Sequence, residues 1–580
     1  MTSPSQLRID VGSDPPVPQI AALFLVNFDN RKGYFSALPL RLAETNSGFS
    51  YTLGWHKTID NVQIEGVVEF KSLPSGLHNV EEDLVYFIHD DYAGLSAFVK
   101  KPDEESERSA RMLAVGVLVP LEHGRIGRIW RHAISLQQLA RAQINDLRDT
   151  TLLEEYWNKQ RLQPDDSAIQ SPVEANGKQS NGYRKARSMS AATTSMPTQH
   201  RLMPHHPAAT LLDALRTFGP LIFPVYRAAL LRRRILIITD TPVEFCCNLV
   251  YIISILSSVS KSLLSQLPSS EAPEPWLKPL YTVGVLDIPE LEKTERWIAC
   301  TTDDVLSTKP HLYDVLVFMP RSGPDHAPQK AFPRIVRSTP QLSKGFPTTS
   351  TKASERDFNR FVHLQQGLHR YPRCHIGIDD TDEEQNDDAA SVSSHSSAYF
   401  DNKAVIEPAS WSKVAYTSLV WWASAGDRRA GLTDSEEGES EQDLSLLQGE
   451  HDDQTQEVAL VAYFHQMTAR LFDTVAAAVA RADGGEVHEA YHDESDNDES
   501  PPGEVSEYQM GSEDRETEHL LSTKDEQPDI EITQEDMVTM GLDSWSASDK
   551  KFVEEFIQLW WGRKAAVHAA VIECCGLRIL

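Results

Sequence analysis

Three stretches of this 580-residue chain hold acid almost without base, and they decide where folding can happen. Residues 379–388 carry seven acids and no base, 427–453 ten acids and two bases, and 484–537 nineteen acids and two bases. Segments this charged and this poor in apolar residues bury too little surface to offset the entropy lost on ordering them. They read as solvated, self-repelling tails and loops. Their combined charge of −32 already exceeds the −30 of the whole chain, so everything else is close to neutral. A near-neutral body lacks the basic field that phosphate backbones select, and no nucleic-acid partner is expected.

The six cysteines are Cys246, Cys247, Cys300, Cys374, Cys574 and Cys575. Two pairs are adjacent and no C-x-x-C spacing occurs, so they read as buried free thiols of a reducing compartment, neither a disulfide framework nor a zinc site. The opening MTSPSQLRIDVGSDPPVP lacks the apolar core of a signal peptide. The most apolar stretch, Leu249 to Val259, is too short to cross a bilayer and reads as a buried helix, so no transmembrane segment is expected. The expected location is cytoplasmic, with any membrane contact peripheral, on a vesicle or organelle, or made through a partner.

The apolar intervals define an α/β fold class. Residues 18–157 form a first α/β unit. Ile20–Phe28, Val67–Phe70, Leu84–Ile88, Leu95–Val99 and Leu113–Val119 read as strands, and Ile134–Leu147 has helical spacing. Closely spaced strands followed by a helix predict an antiparallel sheet with helices on its faces. Residues 158–204, rich in Ser, Gln, Asn and Thr, read as a disordered insertion. Residues 205–320 form a second α/β unit: a helix start at Leu211–Phe218, a helical pattern over Phe223–Arg234, a strand at Ile235–Ile238 and an apolar helix from about Cys246 to Leu267. Strands follow at Tyr281–Leu286, Trp297–Cys300 and Leu312–Phe318. Residues 321–455 read as loop with short helices, at Phe358–Leu368 and Trp411–Ala423. A helical C-terminal portion occupies 456–483 and 538–580. Its stripes are Leu460, Phe464, Met467, Leu471, Val475 and Val479, then Phe552, Phe556, Leu559, Trp560 and Val567, with Ser548 as N-cap of a helix reaching Ile572. Between them 484–537 reads as disordered.

The chemistry these residues advertise is sparse. Neither G-x-x-x-x-G-K-[ST] nor G-x-G-x-x-G nor G-x-S-x-G occurs. His488–Glu489–Ala490–Tyr491–His492 matches the H-E-x-x-H of zinc hydrolases, but it runs into DESDNDESPPG with no apolar stripe to anchor a helix. A vicinal pair at Cys574–Cys575 is a lipidation candidate, with packing the plainer role. Arg232, Arg233 and Arg234 end a helical pattern, where cations suit the dipole and could also meet an acidic partner or a phosphoinositide. Arg184–Lys185–Ala186–Arg187–Ser188 could be a basophilic kinase site, and Ser435, Ser440 and Ser495 suit an acid-directed kinase. No cofactor, metal or catalytic residue is expected.

Four stretches, in order, resemble DENN-domain proteins, particularly the LCHN-like branch and its fungal relatives. They are EGVVEFKSLPSGLHNVEEDLVYFIH at 65–89 with AGLSAF at 93–98 and ARMLAVGVLVP at 110–120; FGPLIFPVYRAALLRRRILII at 218–238; ERWIACTTDDVLSTKPHLYDVLV at 295–317; and WSASDKKFVEEFIQLWWGRKAAV at 545–567. The resemblance implies a bilobal body: a longin-like N-terminal lobe, a second α/β lobe and a helical C-terminal extension, interrupted by long acidic insertions. It also implies a regulator of Rab-type small GTPases in vesicle traffic, acting as a guanine-nucleotide exchange factor and binding no nucleotide itself. The alternative is a non-catalytic adaptor of the same fold. Polar turns at strand ends are where binding by a rigid scaffold concentrates. The candidate GTPase-binding residues are therefore Asp29 and Asn30, His78 and Asn79, and Thr301, Thr302 and Asp303.

Overall fold

The run Ile235–Ile238 shows how the second half of the chain is layered. Ile235 and Ile237 join the main core while Leu236 and Ile238 join a second, smaller core on the opposite face, with Trp297, Leu306, Leu312, Tyr313 and Leu316. A strand buried on both faces needs no polar alternation, and ILII has none. The computed structural model describes residues 17–29, 50–59, 62–102, 110–121, 125–162, 202, 205–268, 273–320, 331–338, 350–369, 405–410, 413–414, 455–484 and 529–568, with the backbone of 573–574 and 577–578.

Eleven strands make one sheet. In chain order they are β1 (Ala22–Asp29), β2 (Ser50–Thr58), β3 (Glu82–His89), β4 (Tyr92–Pro102), β5 (Ala110–Pro120), β6 (Ile235–Ile238), β7 (Lys278–Thr282), β8 (Trp297–Thr301), β9 (Val315–Phe318), β10 (Arg334–Arg337) and β11 (Ser350–Thr351). Across the sheet the order is β11-β10-β9-β6-β8-β7-β3-β4-β5-β1-β2. The first five pair antiparallel, and β7, β8, β6 and β9 run parallel. The two expected α/β lobes thus share a single sheet. They meet where Phe87 of β3 pairs with Tyr281 of β7. Tyr281 is fully buried, has φ 60°, and sits beside a bulge in the β7–β8 pairing. A bulky residue in the left-handed region is costly, and dense packing on both sides holds it there.

Aromatic rings lie over glycines in the first half. Phe87 faces Gly94 across β3–β4, and Phe24 faces Gly116 across β1–β5. A Cβ on either glycine would fall about 2.2–2.3 Å from the ring opposite, so the strands need glycine there.

The helices cover the sheet. They are α1 (Val68–Lys71), α2 (Ala133–Gln143), α3 (Thr151–Gln160), α4 (Leu211–Phe218), α5 (Ile222–Leu230), α6 (Glu244–Leu256), α7 (Lys261–Leu264), α8 (Ile288–Lys293), α9 (Glu355–Leu368), α10 (Gln456–Ala482), α11 (Gln534–Thr539) and α12 (Ala547–Trp561). Helix α2 packs on β4 and β5, and α6 lies across β3, β7 and β8, bridging the two halves. The helical run Pro207–Leu230 is long and apolar enough to span a membrane by composition, but two thirds of its apolar window is buried in this protein. Helix α10 packs its stripe on the earlier helices, and Phe472 meets Phe556 and Trp560 of α12 edge-on and Trp561 at a tilt.

Several expectations change. Val67–Phe70 is not a strand: Val68–Lys71 is one helical turn. The apolar helix from Cys246 stops at Leu256, where Ser257 Oγ bonds back to Ile253 O, and a separate turn, α7, follows. The predicted strand over Tyr281–Leu286 ends at Thr282, and Val285–Asp287 is a 3-10 turn. Residues 334–337 and 350–351, expected as loop, extend the sheet. The last helix is capped by Ser546, not Ser548, and ends at Trp561 because Gly562 takes φ 70°. Within 484–537, Ile530–Ile532 (β12) pairs parallel with Ala565–Val567 (β13), and Ile530, Ile532 and Met537 enter the core.

The three arginines after α5 are each bonded within the fold. Arg232 is buried and donates to the carbonyls of Ala229, Ser257, Glu274 and Pro275 at 2.8–3.2 Å. Arg233 pairs with Glu555 at 3.0 Å and Arg234 with Asp314 at 2.9 Å.

Candidate functional site

Strand direction gathers the candidate turns. The carboxyl ends of β1, β4, β6, β7 and β8 and the starts of β3 and β5 share one end of the sheet. Loops at the carboxyl ends of parallel strands are the usual binding edge of open α/β sheets.

Bonds between residues far apart in sequence knit these loops together. Ser75 Oγ donates to Asp303 Oδ1 at 2.5 Å, and the Val285 N–H reaches Asp303 Oδ2 at 3.3 Å. Thr241 Oγ1 donates to Gly76 O at 3.0 Å, where φ 89° calls for glycine. The carboxylate of Asp83, at the start of β3, accepts the N–H groups of Val243 at 2.7 Å and Glu244 at 3.2 Å. A β3 acid from the first half thus caps the N-terminus of α6 in the second, where an anion suits the dipole. Burial pushes Asp83 up to about 7, against the pull of its N–H donors.

Beside these turns the surface is apolar. Phe70, Val285, Leu286 and Val305 are 46%, 46%, 64% and 48% exposed. Lys71 binds Asp287 at 2.9 Å and Ile88 O at 2.7 Å, which draws α1 onto the turn that carries Leu286. Large apolar side chains exposed on loops anchored this firmly are what a protein-docking surface needs.

Of the predicted residues, His78 and Asn79 are exposed in the 3-10 turn Leu77–Asn79, where His78 O accepts from Lys100 Nζ at 2.8 Å. Asp303 is bonded into the adjoining turn. Thr301 is buried, and its hydroxyl accepts the Asp303 N–H at 3.1 Å. Thr302 is half-buried. Asp29 ends β1 at the same sheet end, but β5 and β4 separate it from β3, a span of roughly 14 Å. Asn30 lies outside the described residues. Sequence reading missed Ser75, Thr241, Val285, Leu286 and Val305. Leu286 and Val285 were absorbed into a predicted strand, although Gly284 gave a signal that the strand stops before them.

Among the described residues no group of three or more His, Cys, Asp or Glu is placed to hold a metal ion. His488, Glu489 and His492 lie outside the described residues, as do Arg184–Ser188, Ser435, Ser440, Ser495, Cys374, Cys575 and the Cys574 side chain. Cys246, Cys247 and Cys300 are buried free thiols, with Cys247 Sγ 3.8 Å from Cys300 Sγ. Burial pushes Cys246 up to about 12, and the hydrogen bond with Cys247 together with burial raises Cys300, so Cys246 and Cys300 are poor nucleophiles.

Fold and edge together define a mixed α/β scaffold whose strand-end loops are anchored to one another and carry exposed apolar side chains. The profile of DENN domain-containing protein 11 matches residues 44–329, and that of a domain of unknown function, DUF4484, matches 406–580. The chain is 33% identical over 322 residues to DENN domain-containing protein 11 of Xenopus laevis, a match covering 53% of this chain and 63% of that protein. The corresponding mouse protein is 31% identical over 316 residues, covering 53% and 59%. An uncharacterized protein of Saccharomyces cerevisiae, ANR2, aligns over nearly its full length, 23% identical across 594 residues, covering 98% and 96%. The chain spans less than two thirds of the length of the animal relatives. It is a relative of the DENN-domain proteins, sharing with them the stretch 44–329, and has fungal relatives as well.

Proposed function

We propose that this chain is a guanine-nucleotide exchange factor for a Rab-type small GTPase, which docks on the strand-end edge. The observation carrying this reading is the Ser75–Asp303 contact, which joins turns from the two halves of the sheet beside exposed Phe70, Val285, Leu286 and Val305. The apolar residues anchor the partner, and His78 and Asn79 form a polar rim. Asp83, Thr241 and Asp303 hold the loops so that little ordering entropy is lost on docking.

Exchange asks for no covalent chemistry from the chain. It requires tighter binding to the empty GTPase than to the loaded one, which by linkage weakens the GTPase's hold on GDP. The working location is the cytoplasm, peripheral to a vesicle or organelle membrane. The test is release of fluorescent GDP from each Rab-type GTPase of the source organism, with and without the full chain. Acceleration of one GTPase, lost in Leu286→Ser, supports the reading. Equal affinity for loaded and empty forms, with no acceleration, would make the chain an adaptor.

A further inference from the structure

The other end of β7 has the opposite character. Trp276, two residues before Lys278 opens the strand, is 44% exposed. The guanidinium of Arg125 lies 5.0 Å from its ring centroid. Arg125 donates to Ser258 Oγ at 2.6 Å, its Nε is buried without a partner, and no carboxylate pairs with it among the described residues. Arg232 beside it is bonded only to carbonyls, at the ends of α5 and α6 and in the turn 274–275. Burial lowers the pKa of both arginines, and the charge of Arg125 lowers that of Arg232 further. Arg296 is close enough to add to the same field. Lys261 and Lys278 are exposed on the flanks with no carboxylate partner among the described residues, against the exposed acids Glu274 and Glu295.

Among the described residues, Arg125, Lys261 and Lys278 thus surround a half-exposed indole without pairing to a carboxylate, in a protein of net charge −30. Cations left without acids call for an external anion. An exposed Trp among basic side chains suits the interfacial zone of a bilayer, where the ring sits at the headgroup level. The chain's net negative charge does not oppose this. Its field is screened within about 8 Å at physiological ionic strength, so only charge in direct contact with the surface counts.

We infer that the end of the sheet built by Trp276, Arg125, Lys261 and Lys278 seats on an anionic phospholipid surface, with the indole in the headgroup layer and the cations on lipid phosphates and carboxylates. The docking edge lies at the opposite ends of the same strands, so the two surfaces can be occupied at once and tested apart. This inference does not depend on exchange activity.

The test is co-sedimentation of the full chain with vesicles of phosphatidylcholine alone and of phosphatidylcholine with phosphatidylserine, at physiological salt. The expected result is binding to the mixed vesicles only. Each basic residue at such a surface contributes about fivefold in affinity. Reversing two charges in Lys261→Glu/Lys278→Glu then lowers binding by well over tenfold, and Trp276→Ser weakens it independently. Both lysines are exposed and make no ion pair among the described residues, so the double variant keeps its melting temperature, while Leu286→Ser at the far end binds vesicles as the parent does. No preference for anionic vesicles, undiminished binding by the double variant, or an equal loss in Leu286→Ser would each overturn the proposal.

Discussion

Arg227 and Asp357, 130 residues apart in the chain, form a buried two-pronged ion pair, with Nη1–Oδ1 2.8 Å and Nη2–Oδ2 2.6 Å. Asp549 approaches the same guanidinium at 3.2 Å. Each aspartate is also the third residue of a helix and accepts no ordinary surface partner: Asp357 closes the capping box of α9 with Ser354, and the Asp549 N–H bonds to Ser546 at the start of α12. One arginine on α5 thus joins two helix N-termini, and through them the C-terminal helices to the α/β body.

Removing that arginine leaves two buried carboxylates facing each other. Arg227→Met should therefore destabilise the protein by about 3–5 kcal/mol. Replacing all three partners with apolar residues of similar size should recover most of that loss. Urea denaturation of the single and triple variants checks both statements, and equal losses in the two would show that the triad matters for packing alone.

The same triad predicts an unusual pH response. Burial pushes Asp549 up to about 7; the charge of Arg227 lowers it and that of Asp357 raises it. An acid whose pKa is higher folded than unfolded holds more protons in the native state between about 4 and 7, so its contribution to stability falls as pH rises through that window. Asp83 acts in the same direction. Buried neutral His132 and His206, pushed down to about 4 by desolvation, act in the opposite direction below pH 6.5. The wild-type curve is therefore a sum of opposed terms, and the useful quantity is a difference. The stability of Asp549→Asn relative to wild type should improve from pH 5 upward and level off above about pH 7. A difference that stays flat across urea melts at four pH values would mean that Asp549 is ionised throughout.

Asp83 offers a test of the junction between the halves. Asp83→Ala removes the acceptor for two N–H groups at the start of α6, at a cost of about 1.5–3 kcal/mol. Hydrogen exchange should quicken first at Val243, Glu244 and the strands β3 and β7. Loss of protection spread evenly over the chain would show that the contact is not a local seam.

Much of this architecture was legible in the sequence. The runs that became β1, β3, β4, β5, β6 and β8 are apolar because they are buried on both faces, and the α10 stripe was visible because one side of a long helix packs. Illegible elements had their cause elsewhere in the chain. Strand β2, SYTLGWHKT, is an edge strand with few apolar residues and exists because β1 offers it a partner. Strands β10 and β11 likewise borrow their order from β9. The candidate edge was half legible. Polar turns such as His78–Asn79 and Thr302–Asp303 announced themselves, but that Ser75 would meet Asp303, 228 residues away, is decided by strand order, which no local pattern carries.

Strand order also corrects where the chain can be cut. The acidic block 484–537 reads as dispensable along its whole length, yet its last residues belong to the core. Ile530, Ile532 and Met537 are fully buried, β12 pairs with β13, and Asp536 binds Arg481 at the end of α10 at 2.7 Å. Deleting 485–528, which carries fifteen acids and two bases, should leave the melting temperature within a few degrees of the parent. Extending the deletion to 537 removes three buried side chains at about 2 kcal/mol each and unpairs β13. The longer deletion should therefore melt much earlier or fail to fold. Thermal unfolding of the two variants side by side decides it, and equal melting temperatures would mean that β12 and α11 add nothing to the fold.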